Sequence, residues 1–310
     1  MRIALPASLL LVAVGLLPLI LSSYQLGLVT KMLIFAIFAT SLNLKLGYTG
    51  LPSFGHAAYF GVSAYTVGLL ALGGFSSVLL QLGAGLLAAV ATAALFGLVA
   101  LRAQRAYFFL ITLAFSQVLW GLAFGWRSLT GGDDGLPGVP RPRLGGWSLG
   151  DHIPLYYFVV VVYLITTAFA ALIVRSHFGR SLLGIRENEL RMQVLGYNVW
   201  LHKYIVFIIA GALAGISGVL YVYYNGYVGP AYLSVVMSAM CLIMVVLGGA
   251  GTFFGPTVGS VIIVLLENVV SAYTQRWLFV LGAVYVAVTL FAPNGVLGAR
   301  AGGARRSGKT

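Results

Sequence analysis

The side chains of this chain best suited to metal binding or proton transfer are His56, His152, His177 and His202. None stands at zinc-ligand spacing from another, so no metal site is expected. Ser53 lies close to His56 in PSFGH, but there is no nucleophile-elbow motif and no third partner for hydrolysis. The single Cys241 lies in an uncharged apolar run, which rules out a disulfide framework and points to packing. Near the C-terminus, Gly303 to Thr310 satisfies the phosphate-loop pattern, with Gly308 and Lys309 at the expected places. That motif works between a strand and a helix. Here APNGVLGARAG precedes it and the sequence stops at Thr310, so Gly303, Gly308, Lys309 and Thr310 are read as a false match in a basic, disordered tail, 293–310, near anionic lipid. No cofactor bound by this chain is expected. The remaining chemistry lies in charges inside apolar stretches. Glu267 is the carboxylate there, while Lys31 and Lys45 lie near span ends and are expected to snorkel. Glu267 serves either a pathway or a structural polar contact between helices, and both readings stay open.

The elements that must hold these groups are set by where charge is missing. Only 8% of the 310 residues are charged and 60% are hydrophobic. Ile205–Tyr224 and Ser234–Ser260 carry no Asp, Glu, Lys, Arg or His. Each is long enough to cross a hydrocarbon layer of about 30 Å as a helix. Uninterrupted apolar runs favour helices over a β-barrel, whose strands would alternate. The fold class is therefore an all-α integral membrane protein, a polytopic bundle of about ten transmembrane helices. The spans are expected near Ile3–Leu21, Leu26–Leu46, Leu51–Leu72, Val78–Leu101, Tyr107–Phe124, Ile153–Val174, Ile205–Tyr224, Ser234–Leu247, Pro256–Ser271 and Trp277–Ala292. The first is read as a retained helix, because its apolar part exceeds a signal-peptide core and no clear cleavage site follows. Residues 1–292 form the membrane domain.

The net charge of +12 is spread over several loops with no continuous basic face, which argues against nucleic acid. The positive-inside rule accounts for it better. With Arg175–Tyr204 in the cytoplasm, strict alternation puts every basic residue inside except Lys31, Arg127, Arg141, Arg143 and Arg276. Both termini are then cytoplasmic. The outer loop, 125–152, is rich in Gly, Pro and Asp, which excludes regular helix over most of it. In the inner loop, 175–204, Ser181–Leu195 is expected to form one amphipathic helix with Leu183, Leu190 and Val194 on its apolar face and Gly196 as its C-cap.

Two features suggest a path. GYTGLPSFGHAAYFGVSAY, Gly47–Tyr65, places glycines, a proline and polar groups at membrane depth. It is either a broken helix beside a substrate path or a kink with satisfied polar groups. Leu46-Gly47-x-x-Gly50 with Phe54-Gly55 is echoed by Leu247-Gly248-x-x-Gly251 with Phe254-Gly255, as paired interrupted helices in transporters would be. Path candidates are therefore Asn43, Pro52, Ser53, His56, Tyr59, Gly248, Gly251 and Glu267. Small-residue stripes at Gly211/Gly215 and Gly251/Gly255/Gly259 mark close helix contacts, within the chain or between subunits.

SLNLKLGYTGLPSFGHAAYFGVSAY, SLTGGDDGLPGVPRP and GRSLLGIRENELRMQVLGYNVWLHKY together resemble the permease subunit of bacterial branched-chain amino acid ABC importers, more closely its LivM-type than its LivH-type form. The resemblance implies a multi-pass protein of the bacterial inner membrane that is not an enzyme. It pairs with a LivH-type permease subunit, is driven by two ATP-binding cassette ATPase subunits that use the ATP, and receives its substrate from a periplasmic binding protein. It also implies that the inner loop docks into the ATPase through Gly184, Ile185, Arg186, Glu187, Asn188, Glu189, Arg191 and Gly196. The usual Glu-Ala-Ala…Gly pattern of such loops is only partly present, since Arg191 and Met192 replace the alanines. The expected cargo is leucine, isoleucine or valine. The alternatives are urea or short amides in a related importer, or a standalone secondary carrier. A membrane-embedded enzyme is disfavoured by the lack of a clustered acid, base or metal set.

Overall fold

The computed structural model describes residues 15, 17–103, 105–144, 147–274, 276–291 and 295–297. The expected first span, Ile3–Leu21, and the tail 293–310 with Gly303, Gly308, Lys309 and Thr310 lie largely outside the described residues. Helices account for most of the described residues. They are α1 (Ser23–Thr49), α2 (His56–Leu72), α3 (Val78–Ala100), α4 (Arg105–Gly125), α5 (Arg127–Thr130), α6 (His152–Arg175), α7 (His177–Glu187), α8 (Glu189–Val194), α9 (Val199–Asn225), α10 (Val235–Gly248), α11 (Gly255–Tyr273) and α12 (Trp277–Phe291). Among the described residues, six helices are long and apolar enough to cross a membrane: α1, α3, α4, α6, α9 and α11. Helices α2 and α10 are apolar but shorter, with 17 and 14 residues.

Two helices form the interior. The most apolar windows of α1 and α9 are 72% and 67% buried, against 22% for α3 and α4 and 17% for α6. Helix α9 packs on α1, α2 and α3, and α1 also lies against α6 and α11. The outer helices turn large apolar side chains outward, among them Leu79, Leu87 and Leu172. A surface of that kind suits lipid and not water. The close approach of α9 depends on small residues. A Cβ on Gly211 or Gly215 would strike the methyl of Ala93 or Ala89 on α3, and one on Gly218 would strike the backbone of Phe60 on α2. This stripe therefore packs inside the chain.

Both sequence-marked breaks are present, and they alter the expected spans. The span expected at Leu51–Leu72 starts only at His56. Gly50 ends α1 in the left-handed conformation, with its N–H on Leu46 O, and Pro52 disfavours helix at Leu51. Gly249 and Gly251, both at positive φ, separate α10 from α11.

The inner loop differs from expectation. The single amphipathic helix over Ser181–Leu195 is two helices, α7 and α8, divided at Asn188, which is extended (φ −156°, ψ 101°). Its side chain accepts the N–H of Arg191 at 2.9 Å and so caps α8, the usual way in which Asn competes with a continuing helix. The apolar faces are also reversed. Leu182, Ile185 and Met192 are buried, whereas Leu183, Leu190 and Val194 are exposed, Val194 at 89%. Gly184 lets α7 and α8 fold together, because a Cβ there would lie 2.7 Å from Met192 Sδ. Gly196 ends α8 in a Schellman motif: its own N–H reaches Gln193 O and that of Tyr197 reaches Met192 O.

The outer loop contains α5, a 3₁₀ turn at Gly132–Asp134 and a two-residue antiparallel ladder of β1 (Arg143–Leu144) with β2 (Trp147–Ser148). It is fastened to the bundle where Leu136 pairs with Val228 and where Arg141 donates to Gly150 O and Tyr224 O, each at 2.8 Å.

Candidate functional site

The first site lies where the two breaks meet. Asn43, on α1, uses both ends of its amide: Nδ2 donates to Thr252 O at 2.9 Å and Oδ1 accepts from Gly251 N at 2.8 Å. Its side chain thus supplies the partners that the interrupted backbone between α10 and α11 lacks. Gly47, one turn on, touches Gly251 backbone to backbone, and a Cβ on Gly47 would overlap Gly251 N. The two echoed motifs are therefore in direct contact. Gly47 also has a carbonyl in the last turn of α1, where no intrahelical N–H is available. Arg186, from α7 of the inner loop, donates Nη1 to that oxygen. A guanidinium here also complements the negative end of the helix dipole. A Cβ on Gly50 would meet Arg186 Cγ at 3.2 Å, and one on Gly251 would meet Arg186 Nη1 at 2.8 Å. One side chain of the inner loop thus bears on both breaks. Gly295 packs against Gly249 at the same end of the bundle.

Beneath this junction lies a layer of polar groups inside the bundle. His56 Nε2 is 2.7 Å from Ser41 Oγ, and its ring stacks on Phe38. Ser53 is buried in the break, with Gly55 N on its hydroxyl, and Pro52 is half-buried beside it. Lys45 is the unexpected member. It does not snorkel: it is 0% exposed, its Nζ has no hydrogen-bond partner among the described residues, and Nζ lies 4.4 Å from the ring centre of Phe207 and 5.1 Å from that of Tyr59. Its position follows from the length of α1, which runs on past Lys45 to Thr49 and keeps the lysine inside α2 and α9. Aromatic faces partly replace the water that it gives up.

The second site is at the other end. Lys31 lies roughly 24 Å from Gly47 along α1, at about 1.5 Å per residue. Its Nζ donates to both carboxylate oxygens of Glu267 on α11 at 3.0 Å. Glu267 lines a cavity of about 530 Å³ whose walls include Phe35, Trp120, Tyr221, Tyr232, Met237 and Met240, together with Asp133 of the outer loop. The path candidates thus divide. Asn43, Gly248 and Gly251 belong to the junction, Pro52, Ser53, His56 and Tyr59 to the break and the layer beneath it, and Glu267 to the distant cavity.

The inner-loop residues divide as well. Ile185 is buried with Met192 and Val199, whereas Glu187, Asn188, Arg191 and Gly196 are exposed. Glu189 pairs with Lys203 at 2.7 Å, which ties α8 to the start of α9. Sequence reasoning missed the Lys31 partner of Glu267 and the inward reach of Arg186. Opposite charges within two apolar runs were the available signal for the first.

The family described as "Branched-chain amino acid transport system / permease component" matches residues 24–289. The high-affinity branched-chain amino acid transport system permease protein LivM of Salmonella typhimurium is 28% identical, over 90% of this chain and 71% of its own. LivM of Escherichia coli K12 is 27% identical over the same shares. The LivH permease protein of Salmonella typhimurium is 26% identical over 85% of this chain and 91% of its own. No solved structure matches the chain.

Proposed function

The chain belongs to the branched-chain amino acid permease family, and from that premise we propose that it is the LivM-type membrane subunit of an ATP-driven importer for leucine, isoleucine and valine. In this reading it spans the bacterial inner membrane about ten times with both termini in the cytoplasm. A LivH-type subunit completes the path, two separate ATPase subunits drive it, and a periplasmic binding protein delivers the amino acid.

The observation that carries the coupling half of this reading is Arg186. The loop assigned to the ATPase places α7 and α8 at the end of the bundle and extends one cation onto the two helix breaks. Displacement of α7 by an ATPase therefore acts on the ends of α1 and α10 as a rigid-body push, without passing through a flexible linker. The outer side of α8 suits a protein partner: Leu190, Val194 and Leu195 are 72%, 89% and 64% exposed, beside Arg191 and Glu187. Apolar side chains rimmed by charge are typical of a docking face.

The test is the double variant Glu189→Ala, Arg191→Ala in the reconstituted importer. Leucine uptake is expected to fall while ATP hydrolysis continues and the protein stays in the membrane. Uptake equal to the wild type would reject the coupling assignment. Competition by leucine but not urea is expected for uptake by the unaltered importer. The opposite order would move the chain to the urea or amide branch.

A further inference from the structure

The cavity at the outer end carries chemistry that the coupling junction does not use. Its walls are mostly aromatic rings and methionines, a lining that suits a branched aliphatic side chain. Its charges are arranged differently from those of a simple cation or anion site. Glu267 faces the space, and its partner Lys31 approaches from α1, with side-chain exposures of 20% and 19%. Lys31 Nζ is also 5.9 Å from the ring centre of Phe35, another wall residue. Glu267 is thus the member of the pair that lines the cavity, and Lys31 is held behind it by the ion pair and beside Phe35.

An ion pair within apolar surroundings is neutral as a unit, and removing one member leaves a costly lone charge. A zwitterionic amino acid carries the same two charges. It can enter between the partners, with its carboxylate on Lys31 and its ammonium on Glu267, so that one ion pair becomes two and no charge is left alone. A neutral amide offers no ion to exchange, and a ligand with only an ammonium or only a carboxylate leaves one member unpaired. Asp133, also in the lining, adds a second carboxylate to the cavity.

We propose that the Lys31–Glu267 pair and the aromatic cavity beside it form a binding site for the zwitterionic head and aliphatic side chain of the transported amino acid. This rests on the importer reading above and names the residues that select the substrate class.

The test uses the complete importer in proteoliposomes, supplied with saturating leucine-loaded binding protein. Glu267→Gln and Lys31→Met should each lower leucine uptake about tenfold or more, as expected for loss of a charge-assisted contact. The exchange variant Lys31→Glu, Glu267→Lys restores an ion pair but reverses its polarity against fixed aromatic walls, so it should assemble and still transport poorly. Val236→Trp, at a cavity-lining position that is 48% exposed, fills the space without touching the pair and should also lower uptake. Assembly of each variant with its partners is read by gel filtration. The proposal is overturned if the exchange variant regains wild-type uptake, which would make the pair purely structural, or if Val236→Trp assembles and transports normally. Should the unaltered importer fail to move leucine at all, the importer reading itself fails, an outcome visible apart from any variant.

Discussion

The two ends of this bundle are built from opposite materials. At the junction of the two breaks, backbone meets backbone: Gly47 lies against Gly251, Asn43 supplies the hydrogen bonds of an interrupted chain, and Arg186 closes a helix end. At the cavity end, large side chains stand around open space, and Glu267 among them is paired with Lys31. Close backbone contact transmits displacement and tolerates little change of volume. A wide cavity with flexible methionines adapts to its contents and transmits little. The contrast matches the proposed reading, in which the chain is pushed at one end and loaded at the other.

That contrast can be broken by substitution. The largest effect is expected for Gly47→Leu, because a side chain there must displace the backbone of Gly251. We expect a loss of about 3 kcal/mol and a lower thermal midpoint for the detergent-purified importer, read by gel filtration after heating. Arg186→Ala removes a charged donor from a helix-end carbonyl. A loss of roughly 2 kcal/mol is expected, with uptake reduced more than ATP hydrolysis when both are measured on the same proteoliposomes. Equal reduction of the two would separate Arg186 from coupling. Lys45→Met removes a buried amino group with no hydrogen-bond partner among the described residues, so stability should hold or rise by up to roughly 2 kcal/mol, read as an unchanged or higher thermal midpoint. A marked fall would mean that the Phe207 and Tyr59 faces compensate the charge fully. Met240→Leu at the cavity wall should be the mildest, under about 1.5 kcal/mol in the same heating assay. A large loss there would show that the outer end is packed as tightly as the inner.

The parts legible in the sequence are those that local rules control. Long uncharged runs located the six long apolar helices, and Gly50 with Pro52 marked a break, although the next helix starts at His56 and not at Leu51 as expected. The echoed glycine motifs pointed to a second break, although nothing local said that the two would touch. Asn188 was misjudged because helical periodicity runs straight through it, whereas its side chain prefers to cap the next turn. The apolar face of the inner loop was misassigned because Leu182 and Leu183 are equivalent in composition, and only packing against the bundle decides which turns inward. Lys45 was placed at a span end by counting residues, but α1 continues beyond it. Lys31 with Glu267, and Arg186 with Gly47, join distant parts of the chain, so their pairing is a property of the assembled bundle and not of any one segment.

Cys241 has a practical consequence. It is the only cysteine in the sequence, and it lies fully enclosed with its thiol directed to Phe38 O. Thiol-reactive dyes and spin labels should pass it by while the bundle is intact. A reporter cysteine placed on α8 or at the mouth of the cavity would then be read against a silent background, and the native residue need not be removed first.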